Sequence, residues 1–122
     1  MRGVAFLFFA TGVLCVTLGM MWGIHMAISG DHIAAPAHAH LNLVGWVTMA
    51  LFGVFYHLVP SAAASGLAKV HYLLALAGVV CMVPGILLAI NEKGEALAAI
   101  GSILTFASML VFLFTVVRSR AA

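Results

Sequence analysis

Four apolar stretches, each long enough to cross a lipid bilayer, take up most of this chain. They run Val4–Ile28, Ala35–Val59, Ala68–Ile90 and Ala96–Val117. A spanning helix takes ~20 mostly apolar residues. Inside lipid every backbone N–H and C=O must find its partner within the protein, which leaves helices or closed barrels. Barrel strands alternate apolar and polar residues, and these stretches do not. The predicted fold is therefore all-α: one polytopic domain over residues 1–122, with four transmembrane helices. Composition agrees. The chain is 66% hydrophobic and 7% charged, more apolar surface than a soluble domain of 122 residues can hide. A net charge of +2 without a basic stripe argues against nucleic acid as a partner.

The polar residues collect in the breaks: Ser29-Gly30-Asp31-His32, Pro60-Ser61 through Ser65-Gly66, and Asn91-Glu92-Lys93-Gly94-Glu95. Breaks this short make consecutive helices antiparallel neighbours. Arg2, Lys69, Arg118 and Arg120 then fall at one end, and Lys93 with Asp31, Glu92 and Glu95 at the other. The positive-inside rule places both termini in the cytoplasm, in a bacterial-type inner membrane. Arg2 and the run Ala35-Pro36-Ala37 loosely resemble a signal peptide and its cleavage site. The first apolar run exceeds the 7–15 residues of such peptides, so it is expected to stay as a span.

Small residues mark the packing faces. Gly19 and Gly23 form a G-x-x-x-G step in the first span, Ala75, Gly78 and Gly85 line the third, and Gly101, Ser102, Thr105 and Ser108 line the fourth. Pro84 predicts a kink in the third span. Cys15 and Cys81 read as small apolar packing residues, in preference to metal ligands or a disulfide.

Six histidines carry the chemistry: His25, His32, His38, His40, His57 and His71. Ionisable groups within spans are costly and usually functional. By depth, the first four share the outer layer, and His57 and His71 lie in the inner layer. His40 and His57 stand ~25 Å apart along a helix, too far to share one iron. His57 and His71, beside Tyr56 and Tyr72, read as anchors at the headgroups. His38 and His40, one residue apart, leave the helix at ~200° to each other, from opposed faces. A single small metal ion cannot easily take both. Two separate large cofactors, or one cofactor and one partner helix, fit better; haem suits such a site, since its iron takes a neutral imidazole nitrogen and its flat macrocycle lies between helices. Zinc favours ligands such as i and i+4 on one face, and no such histidine pair occurs.

The run His38-Ala39-His40-Leu41-Asn42-Leu43-Val44-Gly45-Trp46, continuing as Leu51-Phe52-Gly53-Val54-Phe55-Tyr56-His57-Leu58-Val59-Pro60, resembles the haem–copper oxidase superfamily. It is similar to the catalytic-subunit helix that opens with H-x-H and closes with an H-x-x-P-like end. There the first histidine ligates the high-spin haem and the second the low-spin haem, which the resemblance carries to His38 and His40. The beginning at His40 and the end from Tyr56 to Pro60 also resemble the low-spin haem helix of nitric oxide reductases. The likeness covers about a fifth of the chain. That family's catalytic subunit has twelve helices in three arcs of four, so this chain has the size of one arc. It lacks the H-P-E-x-Y segment and a His-His pair at the outer end of the third helix, which reads Leu88-Ala89-Ile90-Asn91. A complete oxygen-reducing centre is therefore not expected, and catalytic turnover stays open.

Together these features predict a b-type haem protein acting in electron transfer or in binding a diatomic gas, O2 or NO. It would be a homo-oligomer, a trimer by the arc arithmetic, with a respiratory electron donor. His40 is the first-choice axial ligand, His38 serves a second haem or completes a bis-histidine pair, and His25 is the reserve. Trp46 and Phe52 line the pocket or simply pack, and Asn42 holds a propionate or a neighbouring helix. The alternative is a cofactor-free accessory or assembly subunit of a respiratory complex, its histidines bridging helices. A third reading is copper binding or handoff at the outer face by His25, His32 and His38 with Met20, Met21 and Met26.

Overall fold

A computed structural model describes residues 1–120. The protein is all-helical over those residues, with four helices long and apolar enough to cross a membrane: α1 (Gly3–Ser29), α2 (Ala35–Leu58), α3 (Gly66–Ile90) and α4 (Ala96–Arg118). It is a polytopic membrane protein. Observed and expected ends agree to within a few residues, because the polar breaks that stop the hydropathy also stop the helices. Gly30 closes α1 in the left-handed conformation at φ 72°, and its N–H caps the Met26 carbonyl. Pro36 stands in the first turn of α2, where its missing N–H costs nothing. A single helical turn, Pro60–Ala63, bends the chain from α2 towards α3. Helix α3 continues through Pro84, which faces the exterior.

The helices run antiparallel. Phe8 near the start of α1 meets Tyr56 near the end of α2 and Tyr72 near the start of α3. Phe112, near the end of α4, closes on Phe52 at 4.5 Å between ring centroids. We call this the terminal end, since α1 begins and α4 ends there, and the opposite end distal. The larger core cluster fills the terminal half around Phe8, Met49, Phe52 and Tyr56. A smaller one, Cys15, Leu41 and Val79, lies towards the distal end.

Two glycine-lined seams set the spacing. In α1 against α2, a Cβ on Gly12 would press on Trp46 at 3.2 Å, and one on Gly53 on the Phe9 backbone at 2.9 Å. In α3 against α4, Gly85 lies on the backbone of Ala98 and Gly101 on that of Met82. Lipid tails are as apolar as leucine, so helices gain little by hiding leucines from them. Backbone-to-backbone contact of this kind is what favours association. The exposed faces are leucine, isoleucine, valine and phenylalanine, as lipid contact requires.

One of the two histidines expected at the headgroups is corrected here. His71 is 0% exposed and Tyr56 1%, so neither reaches the headgroups. Tyr72 turns its hydroxyl to Thr11 on α1, 2.7 Å away. His57 does face outwards. All four residues lie near the terminal ends of their helices, but the helix face turns His71 and Tyr56 inwards.

If the seams set the spacing, Gly101→Val should weaken α3–α4 pairing by about 1–3 kcal/mol, the usual cost of overpacking. Gly66→Ala, which meets open space, should leave stability unchanged or slightly raised. Reversible unfolding in mixed detergent micelles measures both.

Candidate functional site

The histidine pair sits in the first two turns of α2, at the distal end. Just after it, from Leu41 to Thr48, the helix widens into a π-helical stretch. Thr48 follows the wider pitch, donating its hydroxyl to the Leu43 carbonyl five residues back, at 2.9 Å. Such stretches are rare and often mark functional sites. No feature of the residue pattern had announced it.

His38 looks inwards. Its Nε2 lies 2.9 Å from the Gly19 carbonyl on α1. A carbonyl only accepts, so Nε2 carries the hydrogen and donates it. Trp22 of α1 stands edge-on to the ring at 6.0 Å. Asn42, one turn on, brings its amide within 3.3 Å of the same nitrogen, and its Oδ1 is buried without a partner. Trp46, a further turn along, packs on Gly12 and meets Phe9 at 6.1 Å. His38, Asn42 and Trp46 therefore form one polar-to-apolar row laid along Gly23, Gly19 and Gly12. The G-x-x-x-G step serves this row: a Cβ on Gly19 would collide with the Asn42 amide, and one on Gly23 would stand 3.2 Å from His38 Nε2.

His40 looks outwards, and the opposed-face expectation holds for the pair. Its ring is exposed, with Nδ1 2.7 Å from the Pro36 carbonyl. Nδ1 must be the donor, so Nε2 keeps its lone pair and points away from that tether. The exposed face continues along α2 as Leu43, Val47, Leu51 and Val54. His25 is exposed near the end of α1, and His32 lies in the first loop with Nδ1 3.3 Å from the Gly30 carbonyl. Met26 is buried at 5%, whereas Met20 and Met21 are exposed, so the three methionines do not share a surface. Among the described residues no three His, Cys, Asp or Glu side chains converge on one point. Phe52, at 3% exposure, belongs to the terminal-half core.

A second polar site had been missed. His71 stands inside a box of rings from α1, α2 and α4: Phe8 at 4.8 Å, Phe52 at 4.4 Å and Phe112 at 5.5 Å. Its Nδ1 is hydrogen-bonded to the Tyr56 hydroxyl at 2.9 Å, and its Nε2 has no partner. A signal was available. His71 falls on the same α3 row as Ala68, Ala75, Gly78, Met82 and Gly85, all of them buried.

No family model matches this sequence, and neither a curated protein nor a solved structure matches it.

The row on α1 can be tested as a pair. Gly19→Ala should cost about 1–3 kcal/mol by displacing Asn42. Adding Asn42→Ala should recover part of that loss, giving a non-additive double-mutant cycle of ~0.5 kcal/mol or more. Strict additivity would mean the two do not meet.

Proposed function

We propose that this protein is a membrane b-type haem protein, built like one arc of a haem–copper oxidase catalytic subunit and completed by two further copies of itself. The state of His40 carries the reading. An axial imidazole needs one nitrogen with its lone pair free and the other held by an acceptor that fixes the ring. Pro36 holds Nδ1, and Nε2 is open on the helix exterior. The exposed strip of Leu43, Val47 and Leu51 next to it would offer a macrocycle an apolar wall. Haem bound there would supply a one-electron couple or a gas-binding iron.

The remaining roles belong to the chain. His40 orients the ring plane through its Pro36 tether. His38 keeps α1 and α2 in register, and to serve a second iron it would first release Gly19. A second axial ligand is therefore better drawn from a neighbouring protomer, with His25, exposed on α1, as the candidate. Cyclic closure of three four-helix arcs gives that neighbour a fixed place. With four basic residues at the terminal end, the positive-inside rule puts the termini in the cytoplasm of a bacterial-type inner membrane and His40 towards the outer leaflet. A respiratory donor reaching that side would supply the electrons.

One observation favours the accessory-subunit reading instead: His38 does bridge two helices, as a structural histidine would. Absorption spectra of purified protein, made with ample haem and recorded oxidised and reduced, separate the two. A Soret band that His40→Ala abolishes and His57→Ala retains is the expected result. Protein that lacks the band and co-purifies with oxidase subunits would leave the accessory role. Native mass spectrometry of the same sample should give three chains per particle.

A further inference from the structure

The first residues of α1 stand between two grooves that neither the haem reading nor the His71 box uses. Both open at the terminal end. One lies between α1 and the end of α2, has a volume of about 620 Å³, and is bordered by Arg2, His57 and Pro60. The other lies between α1 and the start of α3, has a volume of about 600 Å³, and is bordered by Leu7, Lys69 and Leu73. Gly3, Val4, Ala63 and Ala64 border both. Three of those four carry a methyl group or no side chain, so the shared wall is mostly backbone.

Charge at the two mouths has one sign. Arg2, His57 and Lys69 are exposed, and no Asp or Glu borders either groove. His57 offers a ring N–H in either protonation state. The acidic side chains, Asp31, Glu92 and Glu95, all lie at the distal end, a whole span away.

Polarity also changes with depth. Leu7 follows Gly3 by four residues and Leu73 follows Lys69 by four, so each stands one turn further into the membrane, about 6 Å, on the same helix face. Beyond them the exposed rows continue as Leu14 and Leu18 on α1 and as Val80 on α3. The bond from Tyr72, which borders this groove, to Thr11 ties its two helices together. A cation at the mouth with an apolar trough behind it is the complement of a phosphate joined to acyl chains. A soluble anion would use the mouth alone, and an uncharged lipid the trough alone.

We propose that the paired grooves bind one anionic phospholipid. Its headgroup lies over the shared wall, between Lys69 on one side and Arg2 and His57 on the other, and its acyl chains run inwards past Leu7 and Leu73. Basic pockets between transmembrane helices are the usual form of such sites. The site does not depend on haem at His40, which lies at the opposite end, and stands or falls separately from it.

The test is native mass spectrometry of the full chain in uncharged detergent, titrated with lipids of identical acyl chains. Phosphatidylglycerol should bind at one molecule per chain, about tenfold more tightly than phosphatidylcholine, whose phosphate is offset by its own cation. Arg2→Gln and Lys69→Gln should each weaken phosphatidylglycerol about fivefold, the usual effect of one basic residue at a membrane surface. Arg120→Gln removes a charge from the same end but borders neither groove, and should leave binding unchanged. Ala64→Trp, at an exposed position of the shared wall, should block binding with no change of charge. Glycerol phosphate, the headgroup without chains, should not compete. The proposal is overturned if the two lipids bind alike, if Arg2→Gln or Lys69→Gln leaves binding unchanged, or if Arg120→Gln weakens it as much as they do. Binding that survives Ala64→Trp, or that glycerol phosphate displaces, overturns it equally.

Discussion

Close contact between helix backbones is the constraint from which the rest of this structure follows. A helix pair in lipid gains little from hiding apolar side chains, because the solvent is apolar too. What remains is dispersion across short distances and hydrogen bonds that water would otherwise make. The glycines of α1 and of the α3–α4 seam provide the first. The approach at Gly19 then makes the second possible: with no side chain there, the α1 backbone is near enough for His38 to reach a carbonyl that already serves the helix ladder. A bulkier residue would push α2 out and leave the imidazole without its acceptor. Packing and polar satisfaction are thus one event at this seam.

The two halves of the molecule use polar groups differently. Towards the distal end the polar side chains are split by helix face, one row committed to α1 and one histidine left outside. In the terminal half the polar groups are enclosed, and aromatic rings wall His71 and Tyr56 away from lipid. Both arrangements are assembled on α2, whose distal turns carry His40 and whose last turns carry Tyr56.

Much of this was legible in the residues. The four spans follow from apolar runs that nothing but a helix can satisfy in a bilayer, and their breaks fall at Gly30, Pro60 and the Asn91–Glu95 stretch. The opposed faces of His38 and His40 follow from helical pitch alone. What the pattern hid was direction. His71 and Tyr56 have the depth of headgroup anchors, and hydropathy cannot tell a side chain turned to lipid from one turned to three other helices. The row of small residues through Ala68, Ala75 and Gly78 held that information, but only when read as a face and not as packing alone. Asn42 and Trp46 were open between a ligand pocket and a helix seam, and spacing could not decide, since they lie one and two helical turns from a histidine that turned out to face α1. The π-helical stretch left no mark at all, because a widened turn uses the same apolar residues as an ordinary one.

That stretch has a consequence for how such a site can change. A π turn is an α-helix holding an extra residue, and one residue of an α-helix corresponds to about 100° of rotation. The segment from Leu41 to Thr48 lies between the histidine pair and the half of α2 anchored by Phe52 and Tyr56. Losing a single codon within it would let the ladder close as an ordinary helix and swing everything before it by about a quarter turn. His40 would leave the exterior face and His38 would leave α1, with no substitution at either position. The direction in which this protein presents its imidazoles is therefore written in chain length, and an insertion or deletion of one residue is the shortest route by which a descendant could reassign them.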